Sequence, residues 1–148
     1  MSAAAAAPGA TLSQGQGAAL LAARLLLAPL FVYSGTGKVM AFAATAARLP
    51  GGDGPLGQAL TVAAICAELG GAALLVLGWQ VRLAALGLIL FTAVATLMFH
   101  QFWASPPAAV VPQTINFLKN LGLMGCLGLV AAFGAGPFSV DGRQRTSA

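Results

Sequence analysis

Four apolar stretches, residues 17–44, 56–79, 81–100 and 113–133, each reach the roughly 20 residues that an α-helix needs to cross a bilayer. Lipid offers no hydrogen bonds, so a spanning segment must satisfy its backbone internally, and continuous apolar runs of this length do so as helices. Only 7% of the 148 residues are charged and 59% are hydrophobic, whereas a soluble domain carries about 25% charged residues. The expected fold is all-α: a bundle of four transmembrane helices with antiparallel neighbours and both termini on the same side. Residues 1–14 read as a flexible Ala-rich tail, 15–138 as one membrane domain and 139–148 as a short polar C-terminal tail. The bundle uses nearly all of this sequence, so a soluble catalytic centre is expected on a partner.

The connections follow from turn chemistry. Leu49-Pro-Gly-Gly-Asp53-Gly-Pro55 is dense in turn formers and makes the first loop. Gly78-Trp-Gln-Val-Arg82 leaves room only for a tight hairpin between the second and third helices. The third connection, from Gln101 through Pro112, is apolar and proline-rich and is expected to lie against the membrane surface. Pro29 inside the first helix is expected to bend it.

Net charge is +4 and the pI near 9.8, but the seven basic residues are scattered and three of them, Arg24, Lys38 and Lys119, lie in or beside apolar runs. That distribution argues against a nucleic-acid partner. The opening Met-Ser-Ala-Ala lacks the basic start of a secretory signal. Arg82, Arg143 and Arg145 collect on the side of the termini, which by the positive-inside rule is expected to be cytoplasmic.

Polar residues inside these runs are the candidate site, because lipid makes them costly unless they face other helices or a cavity. Gln113, Asn116, Lys119 and Asn120 form a polar stripe along the fourth helix. Counting about 1.5 Å per residue brings Lys38, His100 and Gln101 to the same outer level, where only Asp53 offers a carboxylate. A basic, hydrogen-bonding pocket opening to lipid suits an apolar ring with electronegative oxygens, such as a quinone head group, or a small anion. Lys38 fits a snorkelling interfacial lysine equally well, and His100 an ordinary interfacial residue. Deeper in the bundle the same count places Arg24 and Glu68 level within about one turn, so a buried Arg24–Glu68 pair is expected to join the first two helices. Cys66 and Cys126 read as core residues, and no cluster has metal-ligand spacing.

An arginine in the first helix followed by Ser34-Gly-Thr-Gly-Lys38, then Glu68-Leu-Gly-Gly71, Leu77-Gly78, Arg82, His100, Phe117-Leu-Lys119-Asn120 and Gly136-Pro-Phe-Ser-Val-Asp141, resembles the DoxX family of small bacterial membrane proteins. The resemblance implies a four-helix protein of the bacterial inner membrane with a link to electron transfer, some members being the membrane subunit of a thiosulfate:quinone oxidoreductase. Its implied test positions are Lys38, Glu68, Arg82, His100, Lys119 and Asn120.

The leading expectation is a quinone-interacting membrane subunit fed by a separate electron donor. Lys119 and His100 would serve as the reactive groups, and Lys38, Asn116, Asn120 and Gln113 would hold the quinone. No metal, flavin or haem motif is recognised. The alternative is a non-catalytic anchor or assembly subunit that recruits a protein partner, or a second copy, through small-residue faces such as Ala63, Ala67 and Gly71 or Gly122 and Cys126. A small-solute transporter is a third reading, without a visible inverted repeat to support it.

Overall fold

A computed structural model describes residues 13–146, so most of the expected N-terminal tail and residues 147–148 lie outside the described residues. The first span, α1 (Gln14–Met40), opens on a capping box: Ser13 Oγ accepts from the Gln16 amide, and the Gln16 side chain accepts from the Ser13 amide. The helix is continuous through Pro29. It stops at Ala41, and the short α2 (Phe42–Ala46) leads into the glycine-rich loop.

The second span is one 23-residue run, Pro55–Leu77, built from α3 (Pro55–Ile65), a π-helical turn (Cys66–Gly70) and α4 (Gly71–Leu77). Pro55 sits in the first turn, where its missing N–H costs nothing. Gly78 ends α4 in the left-handed conformation, which glycine adopts without strain. The third span, α5 (Val81–Phe99), follows after three residues, Gly78 to Gln80.

The fourth span, α6 (Pro107–Phe133), begins six residues before the apolar run that predicts it. Pro106 and Pro107 supply the extended N-cap and the preset first helical residue, so the proline-rich connection shrinks to a 3₁₀ turn at Phe102–Ala104 and its flanks. Phe102, Trp103 and Phe117 pack edge to face there, with centroids 5.0–5.8 Å apart. The chain closes with α7 (Val140–Thr146).

The start of α1, the α4–α5 hairpin and the C-terminal segment meet at one end of the bundle. Arg24 on α1 bonds Phe138, Asp141 bonds the hairpin, and Gly17 lies against Pro137 and Phe138. Between them lies the core, formed by Ala28, Phe31, Ala72, Leu75, Val81, Ala85, Leu88, Leu127, Val130 and Ala135. Alanines and glycines let the helices come close: Gly71 faces Leu88, and Gly35 faces Leu69 and Glu68. The outward side chains, among them Leu26, Tyr33, Leu90, Leu118 and Leu129, are apolar and exposed, which suits a lipid-facing surface.

Candidate functional site

The half of the bundle away from the termini is open. A cavity of about 800 Å³ lies between the four spans and the 41–54 connection. Its wall is mainly apolar, with Leu30, Phe31, Leu60, Phe91, Met98 and Phe99 among the lining residues. Into it converge Ser34 and Lys38 from α1, Glu68 from the second span, Thr92 and His100 from the third, and Asn120 from the fourth.

Lys38 and Glu68 are the charged centre. Lys38 Nζ stands 2.9 and 2.8 Å from the two Glu68 oxygens and 2.7 Å from Ser34 Oγ, and Ser34 Oγ donates to Glu68 Oε1 at 2.8 Å. Local geometry makes this trio. Side chains on a helix lean toward its N-terminus, so Lys38 reaches back one turn over Ser34. Gly35 admits the second span close enough for Glu68 to meet both. Glu68 sits in the π-helical turn, where one extra residue per turn turns its carboxylate toward α1. Lys38 Nζ also stands 6.0 Å from the Phe91 ring centroid.

This arrangement corrects the expected Arg24–Glu68 pair. Arg24 is fully buried, but its guanidinium donates to the Leu75 carbonyl at 2.9 Å and the Phe138 carbonyl at 2.7 Å. Leu75 is seven residues beyond Glu68, about 10 Å along a helix. A depth count from the terminus-bearing end of each span treats the spans as flush, whereas the C-terminal segment packs under α1 and sets Arg24 level with the hairpin instead.

The polar stripe on α6 divides. His100 Nδ1 pairs with Gln113 Oε1 at 2.8 Å, and Asn120 Nδ2 donates to Thr96 Oγ1 at 2.8 Å, tying α6 to α5. Asn120 and His100 line the cavity, and Gln113 holds His100 from behind. Asn116 is half-buried but is not part of the cavity wall. Lys119 is exposed on the outside of the bundle and does not line the cavity. At 100° per residue it lies about 100° around the helix from Asn120, so the i, i+3, i+4 spacing puts it on the flank of the stripe. Cys66 and Cys126 are exposed, not in the core. Among the described residues, no group of His, Cys, Asp or Glu is placed to hold a metal ion.

Arg48, from the first connection, also lines the cavity, with its guanidinium 5.9 Å from the Phe99 ring. The sequence offers neither Arg48 nor Ser34 as a site residue, although Ser34 opens the Ser34-Gly-Thr-Gly-Lys38 run. Ser34 had a signal, four residues before Lys38 on the same helix face.

The DoxX family profile matches residues 19–101, more than half of the chain. This chain belongs to the DoxX family. Inner membrane protein YphA of Escherichia coli (strain K12) is 32% identical over 124 residues, covering 84% of this chain and 89% of that protein. Inner membrane protein YqjF of the same strain is 32% identical over 127 residues, covering 82% of this chain and 88% of its own length. No solved structure matches the chain. With inner membrane relatives and four helices long and apolar enough to span, this DoxX protein is a multi-pass inner membrane protein. Of its cavity residues, Lys38, Glu68, Thr92 and His100 fall within the DoxX match, and Asn120 lies beyond it.

Proposed function

We propose that this cavity binds the head group of a quinone and that the protein is the membrane subunit of a redox system whose electrons come from a separate protein. The cavity itself carries the reading: about 800 Å³, walled by apolar and aromatic side chains, with a few polar groups converging from all four spans. Ligand sites have this size and this balance of apolar wall and placed polar groups.

The residues present fit such a ring. His100, whose Nδ1 faces the Gln113 amide oxygen, has its other ring nitrogen left over: it donates to a quinone oxygen when the ring is protonated and accepts from a hydroquinone hydroxyl when it is neutral. Asn120 commits one amide hydrogen to Thr96 and retains a second hydrogen and its carbonyl. Bound there, a quinone would accept two electrons from the partner protein together with two protons. This chain's own part is to bind and orient the ring, exclude water with its aromatic wall, and hold a proton at His100. Lys38, fixed by Ser34 and Glu68, adds a preorganised positive group near the ring.

The test is to purify the protein in mild detergent, extract the bound organic material and measure quinone per protein by mass spectrometry, with His100→Ala and Asn120→Leu alongside. About one quinone per protein, lost in the variants, is the expected result. Quinone at the level of the co-purified lipid in all three would overturn the reading.

A second reading, an anchor or assembly subunit, draws on the outer face of α6. This is the least buried of the four spans. Lys119, Gly122, Gly125 and Cys126 are all exposed on it, with open space beside both glycines. Small residues beside a polar one are what a docked transmembrane helix uses.

A further inference from the structure

Threonine inside a helix usually spends its hydroxyl on the carbonyl four residues earlier, and in lipid that bond is the readiest way to satisfy it. Thr45, Thr61, Thr96 and Thr114 do this, donating to Ala41, Gly57, Thr92 and Val110. Thr92 does not. It is 4% exposed, its Oγ1 has no hydrogen-bond partner, and it lines the cavity. A buried hydroxyl left unpaired is costly; its oxygen is closed off in this structure, so a partner from the cavity meets it when the Thr92 side chain turns toward the cavity it lines.

The surroundings of Thr92 define that partner's chemistry. The Thr92 carbonyl accepts from Thr96 Oγ1, which accepts in turn from Asn120 Nδ2. Thr92 and Asn120 are thus held together across α5 and α6, both with hydrogen-bonding capacity to spare. The neighbouring cation is already matched, because Lys38 closes on both oxygens of Glu68. An anion would find no unpaired positive charge at this depth. His100 lies eight residues further along α5, about 12 Å away, so a ring with one oxygen at Thr92 points its opposite oxygen toward His100.

We propose that Thr92 is a ligand-binding residue: with Asn120 it forms the inner end of the cavity and donates a hydrogen bond to a neutral carbonyl or hydroxyl oxygen of the ring compound. This rests on the quinone reading above and adds which end of the cavity the ring oxygen occupies and that it is uncharged. Arg48 and His100 then mark the outer end, where the remainder of the ligand leaves.

The experiment titrates decylubiquinone into quinone-depleted protein in detergent and follows binding by tryptophan quenching, for wild type, Thr92→Val and Thr92→Ser. Valine keeps the shape and removes the hydroxyl, and serine keeps the hydroxyl. Saturable wild-type binding, weakened about tenfold by valine and retained by serine, is expected for one lost hydrogen bond to a buried group. A circular-dichroism melt of each variant shows that the bundle is folded. Wild-type binding that valine leaves unchanged would overturn the role of Thr92 and spare the quinone reading. Absence of saturable binding to folded wild type would overturn both.

Discussion

Lys38 closes on Glu68 through both carboxylate oxygens, at 2.9 and 2.8 Å, and ties the first span to the second in the open half of the bundle. Glu68 is almost fully buried, while a quarter of the Lys38 side chain is exposed to the cavity. Removing one partner of such a pair strands the other charge, which for a fully buried pair costs about 3–5 kcal/mol. The exposure of Lys38 lowers that here. Lys38→Met and Glu68→Gln are each expected to destabilise the protein by about 2 kcal/mol, and the double variant by much less than their sum. Unfolding in mixed micelles with increasing dodecyl sulfate measures all four proteins. Additive losses would show that the pair is not coupled.

The end opposite the cavity is closed by Asp141. Its oxygens accept from the Gln80 and Val81 amides at 2.9 and 3.1 Å, and its own amide donates to the Gly78 carbonyl. A carboxylate capping α5 from a distant segment replaces the local N-cap that α5 lacks. Asp141→Ala is expected to cost about 1 kcal/mol, and Asp141→Asn about half of that because one acceptor remains. The same unfolding series reads both.

Gly78 has a harder constraint. Its φ is +71°, and a Cβ there would run into Ser139 and the Arg24 guanidinium. Both are backbone or buried groups without room to retreat, so Gly78→Ala is expected to destabilise by more than the roughly 1 kcal/mol of left-handed strain alone. Gly87, with open space around the position a Cβ would take, is the comparison: Gly87→Ala is expected to be neutral or slightly stabilising in its helix.

How much of this was legible follows from what each residue's neighbours are. The four spans and the hairpin at Gly78 are local properties of hydropathy and turn chemistry, and they appear where the sequence puts them, with α6 starting six residues early because Pro106 and Pro107 cap it. Glu68, His100 and Asn120 were legible as polar residues that must face inward. Their partners were not, because pairing depends on how far one helix slides past another. Arg24 and Glu68 look level when each span is counted from its own end, yet packing of 134–141 under α1 shifts Arg24 to Leu75 and Phe138. The π-helical turn at Cys66–Gly70 has no sequence signal that periodicity detects, and it sets where Glu68 points.

Arg24 holds three elements together through two carbonyls, so the effect of its loss should be local. Arg24→Met keeps the volume of the stem but leaves the Leu75 and Phe138 carbonyls without their donor. The segment after Gly134 is expected to open, giving faster amide exchange over residues 135–144 while the spans themselves stay protected. Hydrogen exchange read by mass spectrometry in detergent checks this. Uniform loosening of all spans would mean that Arg24 supports the whole bundle.

Lys119 separates the two functional readings, because it is exposed on α6 and does not line the cavity. If the cavity holds the quinone, Lys119→Ala leaves quinone content near the wild-type level, and Glu68→Gln or His100→Ala lowers it. A charged group at about 18 Å along a 27-residue span is nevertheless expensive in lipid unless it is covered or snorkels. The open face at Gly122, Gly125 and Cys126 beside it is where a helix from another protein would fit. Lys119→Ala and Gly125→Leu are therefore expected to reduce the yield of proteins crosslinked to Cys126 in native membranes, without changing the melting of the purified protein by more than a few degrees. Equal yields in both variants would show that this face meets only lipid. Loss of quinone in Lys119→Ala would move the site out of the cavity and onto the surface of α6.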